Sequence, residues 1–115
     1  MGANESWQLH GNLWTTNAAE IGHIKITFTV PASGSYMATA GGLSTAGAWQ
    51  FSSIRSVADT PSFFSASTGS QIWVFGIFRT AGTSGNATLQ WAQSVSNGTG
   101  TILKKDSHFF ISKLQ

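Results

Sequence analysis

The chain has 115 residues, the length of one ordinary domain; 41% are hydrophobic and only 9% are charged. An aromatic share of 12% and the absence of cysteine exclude a disordered tail, a disulfide framework, a thiolate metal site and a cysteine nucleophile. The net charge is +2, but Lys25, Arg55, Arg79, Lys104, Lys105 and Lys113 are scattered, so no basic cluster marks a nucleic-acid partner.

Met1 to Glu5 has neither a basic nor an apolar stretch, so no signal peptide is expected, and no apolar run approaches the roughly 18 residues of a spanning helix. Residues 1–6 read as a short N-terminal segment and 7–115 as a single domain. Trp7 to Trp14 is the first expected strand. In His23 to Val30, Ile24, Ile26, Phe28 and Val30 share one face while His23, Lys25, Thr27 and Thr29 share the other, the period of two of a half-buried strand. Pro31-Ala32-Ser33-Gly34 predicts a turn. A strand over Ser35 to Ala40 is expected to break at Gly41-Gly42, and Trp49 to Val57 and Pro61 to Ala66 predict two more.

Gln71 to Thr80 is different, because Ile72 to Phe78 is apolar on both faces. A run of this kind belongs to a strand covered twice, by the partner sheet and by a second layer or subunit. The alternation groups Trp73, Phe75 and Ile77 against Ile72, Val74 and Phe78 and leaves open which group faces out; enrichment of aromatics in interface cores favours the first. After a turn over Gly82 to Asn86, Ala87 to Ser94 predicts a strand with Leu89 and Trp91 on one face. Turns at Asn97 to Gly100 and Lys104 to Asp106 precede a closing strand, Ser107 to Leu114. Eight strands and no capped apolar stripe of helical period predict an all-β fold, a two-sheet antiparallel sandwich. A jelly roll suits that count, with an immunoglobulin-like sandwich the open alternative.

Little in the chain suggests catalysis. Glu5, Glu20, Asp59 and Asp106 fall in expected loops or termini, without the convergent pair that a glycosidase needs. His10, His23 and His108 stand apart in sequence, and His23 reads as a solvated side chain on a polar strand face. No nucleophile elbow, phosphate loop or dinucleotide fingerprint occurs. The expectation is a non-enzymatic protein with no metal and no cofactor. Trp7, Trp14, Trp73 and Trp91 read as core or interface residues. Trp49, following Gly47-Ala48 at a loop–strand junction, is the candidate for stacking on a glycan. With so few charges, part of the surface should be hidden in an assembly. The candidate interface residues between subunits are Trp73, Phe75, Ile77, Tyr36 and Phe110.

Gly76 to Thr80, Ala87 to Asn97 and Ser107 to Ile111 resemble the C-terminal half of small structural proteins of tailed bacteriophages, of the TNF/C1q-like jelly-roll group. Val30 to Tyr36 resembles the proline–glycine turn and aromatic strand of C1q-type heads. The resemblance covers about residues 70–114, and it lacks the collagen-like stalk and calcium-binding acid clusters of secreted relatives. It implies a homotrimer that forms part of a virion: a decoration or cement protein bound to the major capsid protein on the outer surface of the capsid, or a fibre knob that binds a receptor or host surface glycan. A strand starting by Trp7 leaves almost no room for a shaft, which favours cement; neither a membrane nor a nucleic acid is an expected partner.

Overall fold

The computed structural model describes residues 1–114. The apolar run forms β6 (Ser70–Arg79), and the alternation within it is resolved: Ile72, Val74 and Phe78 point into the protein, whereas Trp73, Phe75 and Ile77 point away from it. On one side β6 pairs with β3 (Ser35–Leu43), which continues through a hairpin to β4 (Trp49–Ile54); on the other it pairs with β1 (Ser6–Thr16). The far edge of β1 carries both β8 (Ile102–Leu103) and β9 (His108–Lys113). Together these strands form a six-stranded antiparallel sheet. β5 (Ser62–Phe63), β2 (Ile24–Thr29) and β7 (Thr88–Ala92) make a second, three-stranded sheet in the order β5-β2-β7. The protein is therefore an all-β, two-sheet antiparallel sandwich, and there is no helix among the described residues.

The core lies where the alternating apolar positions of the two sheets meet. Ile24, Ile26 and Phe28 of β2 face Leu9, Leu13, Ala38, Ala40, Ile72, Val74 and Phe78 of the larger sheet, and Ile54 of β4 and Phe63 of β5 belong to the same buried cluster. Phe28 is the hub: its ring meets Phe78 edge-on at 5.3 Å, and Tyr36 and Phe109 at 6.2 and 6.0 Å. Truncating a buried ring of this kind to alanine costs about 3–5 kcal/mol. Tyr36 stacks on Phe78 at 5.3 Å and its hydroxyl donates to the Phe28 carbonyl at 2.6 Å, so the polar tip is satisfied inside the core.

Turn chemistry sets where the strands end. At Pro31–Gly34, Gly34 N–H donates to the Pro31 carbonyl while Ser33 takes a left-handed φ of 62°. In the β3–β4 hairpin, Gly47 supplies the left-handed φ of 85° that closes the loop, a backbone conformation that residues other than glycine rarely adopt. Gly41 and Gly42 do not break β3, contrary to the sequence expectation. They lie inside the strand, where a Cβ on Gly41 would stand 2.5 Å from the Phe51 ring and one on Gly42 3.0 Å from Phe63. These glycines serve close approach of side chains, not a turn.

A ninth strand, β8, lies outside the eight expected. It pairs Leu103 with Thr15 and Ile102 with Thr16, and β9 resumes at His108 opposite Asn12. Lys104 to Ser107 thus forms a four-residue excursion in what is otherwise one edge strand. Lys104 N–H donates to the Trp14 carbonyl, and the Ser107 hydroxyl accepts from Trp14 N–H.

A buried polar knot ties the loop before β2 to the loop after β7. Asn17 is wholly buried; its Oδ1 accepts from Ala19 and Glu20 N–H, and its Nδ2 donates to the Thr99 carbonyl and Thr101 Oγ1. Thr101 in turn donates to the His23 carbonyl at 2.6 Å. His23 precedes β2 at a φ of 55°, half-buried with its ring 5.3 Å from Phe64. It is therefore not a solvated member of the polar face of β2, as its alternation with Lys25 suggested.

Candidate functional site

The outer face of the six-stranded sheet is the most unusual surface of the molecule. Its composition follows from the cross-strand register. One row runs Ser53, Thr39, Phe75, His10, Phe110 across β4, β3, β6, β1 and β9. The next runs Phe51, Gly41, Trp73, Asn12, His108. Met37 stands opposite Ile77 beyond the first row, and Trp49 and Trp14 flank the second. Because side chains alternate across a pleated strand, all of these share one face.

The rings on this face contact one another. Trp49 and Trp73 lie with centroids 6.3 Å apart at 40°, and Phe51 folds over the space left by Gly41. His10 and His108 flank Phe110 at 5.4 and 5.2 Å. A shallow trough runs between Trp73 and Phe75 on one side and His10 and His108 on the other, with Asn12 and the Gly11 backbone as its floor.

Magnitudes show how unusual the face is. Trp14, Trp49, Phe51, Trp73, Phe75 and Phe110 are each between 39% and 70% exposed. At roughly 200 Å² per aromatic side chain, about 650 Å² of ring surface lies open to water. The largest apolar patch of a typical monomer is about 300–600 Å², and a stable interface buries about 800 Å² per partner. Met37 and Ile77, also exposed, extend the patch towards that figure. No carboxylate belongs to the two rows, and the outward position of β6 nearest its end is Arg79, at the rim.

Of the residues singled out from sequence, the fold brings together Trp73, Phe75, Ile77, Phe110 and Trp49 on this face. Tyr36 does not join them: it points to the opposite side of β3 and is 9% exposed in the protomer core. An aromatic in a strand next to Trp73 could have faced either way, and the burial of Met37's neighbours decided it. Trp14, read from sequence as a core or interface residue, joins the face, and Phe51, Met37, His10 and His108 also belong to it but were not legible as such. Two histidines 98 positions apart become neighbours only through the pairing of β1 with β9.

The acidic groups are dispersed in structural roles. Glu5 accepts from Gly2 N–H and Trp7 Nε1 and pairs with Lys113; that ammonium first, then the two N–H donors, hold its carboxyl down at about 2. Glu20 accepts from Ser67 N–H, and Asp59 caps the turn after β4 through Arg55 and Ser56 N–H. Among the described residues no three His, Asp or Glu side chains converge on a point that could hold a metal ion. The chemistry of the outer face is burial and ring stacking, with imidazole and amide groups at its centre. Comparison of the chain with protein families, with curated proteins and with solved structures finds no match.

Proposed function

We propose that this protein is a non-enzymatic structural protein whose copies associate as a homotrimer through the outer face of the six-stranded sheet. The carrying observation is that face: a contiguous aromatic surface, larger than a monomer ordinarily leaves in water, on a strand apolar on both sides. A second copy is the favoured occupant because the face is almost uncharged, so like charges do not repel when it meets itself. Complementary charge, which a different partner would typically use for recognition, is missing from it.

The wider role follows from the resemblance of residues 70–114 to small bacteriophage structural proteins. On that reading the sandwich is a jelly roll of the TNF/C1q-like kind, and the trimer decorates the outer surface of a capsid, gripping the major capsid protein through Ser/Thr-rich loops. Reinforcement has a plain physical basis. A trimer that binds the assembled shell and not the separated subunits stabilises the shell by mass action, and three linked contacts multiply weak affinities. Light scattering on the purified protein should give three times the 12.2 kDa chain mass. Imaging of whole particles should place it at icosahedral positions on the head; density confined to the tail or fibre ends would overturn the cement reading.

One observation favours a second reading, a glycan-binding knob. Trp49 is 64% exposed beside Trp73, and paired rings can stack on the apolar faces of a sugar. Binding on a glycan panel, lost in Trp49→Ala, would favour this reading over cement.

A further inference from the structure

We infer that association through the outer sheet face is gated by protonation, with His10 and His108 as the sensing groups, so that copies hold together at neutral pH and separate on acidification. The inference rests on the assembly reading above and concerns the regulation of the same surface.

The geometry makes the two imidazoles inseparable from the apolar patch. His10 is directly opposite Phe75 on β6 and Phe110 on β9, in the middle of a row of outward side chains. His108 is opposite Asn12, which is itself opposite Trp73. Any copy that covers Phe75, Trp73 and Phe110 therefore covers both histidines. In the separate protomer both are exposed, so either protonation state is hydrated there. Once covered, the neutral ring fits an apolar contact, whereas an imidazolium loses its water.

Compensation for that charge would have to come from a nearby carboxylate, and the surroundings offer none on the face. From β6 the neighbours are Trp73, Phe75 and Ile77; from β9 they are Phe110 and Ser112; from β1 itself they are Gln8, Asn12 and Trp14. The charged residues of the adjoining segments are Lys104, Lys105 and Asp106 in the excursion before β9, Arg79 at the end of β6, and Glu5 and Lys113 at the far ends of β1 and β9, which pair with each other. Asp106 meets His108 through its backbone carbonyl, 3.0 Å from Nδ1. Outside the Glu5–Lys113 pair, three of the four charges are positive and oppose a further proton. The two histidines also oppose each other across Phe110, and in a homomeric contact every copy brings the same pair.

The sign follows directly. Covering the face lowers the proton affinity of both rings, so association is strongest where histidine is neutral and weakens as falling pH favours imidazolium. A single histidine that must be neutral when covered reduces the association constant about 30-fold between pH 8 and pH 5; two reduce it about 1,000-fold per protomer.

The test is analytical ultracentrifugation of the full chain at pH 8, 7, 6 and 5, with far-UV circular dichroism as a check that the fold persists. The wild type and the His10→Gln/His108→Gln double variant are compared by the ratio of their association constants at pH 8 and pH 5, expressed per protomer (the cube root of the ratio for a trimer), so a general weakening of the variant does not count. The expected result is a ratio of several hundred or more for the wild type and below about 5 for the variant. A wild-type protein equally assembled at both pH values would overturn the inference while the assembly reading stands. Full pH dependence in the variant would also overturn it, by assigning the effect to other groups. A wild type that is monomeric at pH 8 would remove the assembly reading itself. Should the double variant not fold, each single variant is read in the same way, with an expected ratio of about 30.

Discussion

Replacing Phe75 with lysine separates the role of the outer face from that of the core. Phe75 and Val74 are adjacent on β6, yet Val74 is fully buried and Phe75 is 54% exposed. At roughly 200 Å² for the side chain, about 110 Å² of Phe75 remains to be covered by another copy, worth about 2.5–3 kcal/mol at 25 cal/mol per Å². Removing that contribution alone weakens association about 100-fold per protomer. The lysine adds the desolvation of an ammonium group with no carboxylate on the face to meet it. Within the protomer the change is mild, because the lysine stem can lie along the sheet as the ring edge does while its head stays in water. Phe75→Lys should therefore sediment as a monomer of about 12 kDa while keeping its β-rich far-UV spectrum. Val74→Ala is the control in the other direction: it opens the core and lowers thermal stability but leaves the outer face, and so the assembly state, intact. Phe75→Lys that remains assembled with undiminished affinity, or that unfolds while Val74→Ala does not, would refute this role for the outer face.

Two further outcomes follow from the fold. Asn17→Ala removes a wholly buried amide and its four side-chain hydrogen bonds, leaving Ala19 N–H and the Thr99 carbonyl without that partner, while Glu20 N–H keeps the residue-17 backbone carbonyl and Thr101 Oγ1 keeps the His23 carbonyl; urea denaturation should show a loss of about 2–4 kcal/mol. Glu5 has its carboxyl held at about 2, against 4.5 in the unfolded chain, chiefly by Lys113, so its stabilising effect is present above about 4.5 and lost as pH falls through 2. Acid unfolding of Glu5→Gln should accordingly lack the part of the wild-type pH dependence that lies in that window.

Local chemistry made much of this protein legible before its fold was known. The alternation in Ile24 to Val30 marks which side of β2 is buried, and Pro31–Gly34 marks where the chain turns, because side-chain period and turn preference depend on a few adjacent residues. The double-sided apolar run at Ile72 to Phe78 likewise marks a strand with two faces to cover. Alternation alone could not say which of its faces points outward; that depends on where the three-stranded sheet lies, and only packing of Ile26 and Phe28 against Val74 and Phe78 decides it. The same limit explains Tyr36, an aromatic whose side of β3 is set by its stacking on Phe78. Gly41 and Gly42 look like a strand break in sequence because glycine is common in turns, but the rings of Phe51 and Phe63 need the space their missing Cβ atoms leave. The pairing of His10 with Phe110 and of Asn12 with His108 spans nearly the whole chain. No local pattern encodes it, since register is fixed by the hydrogen-bonded ladder of β1 with β9 and by the excursion at Lys104 to Ser107. The residue types of the aromatic face were thus written in the sequence, and their union into one surface was decided by tertiary structure alone.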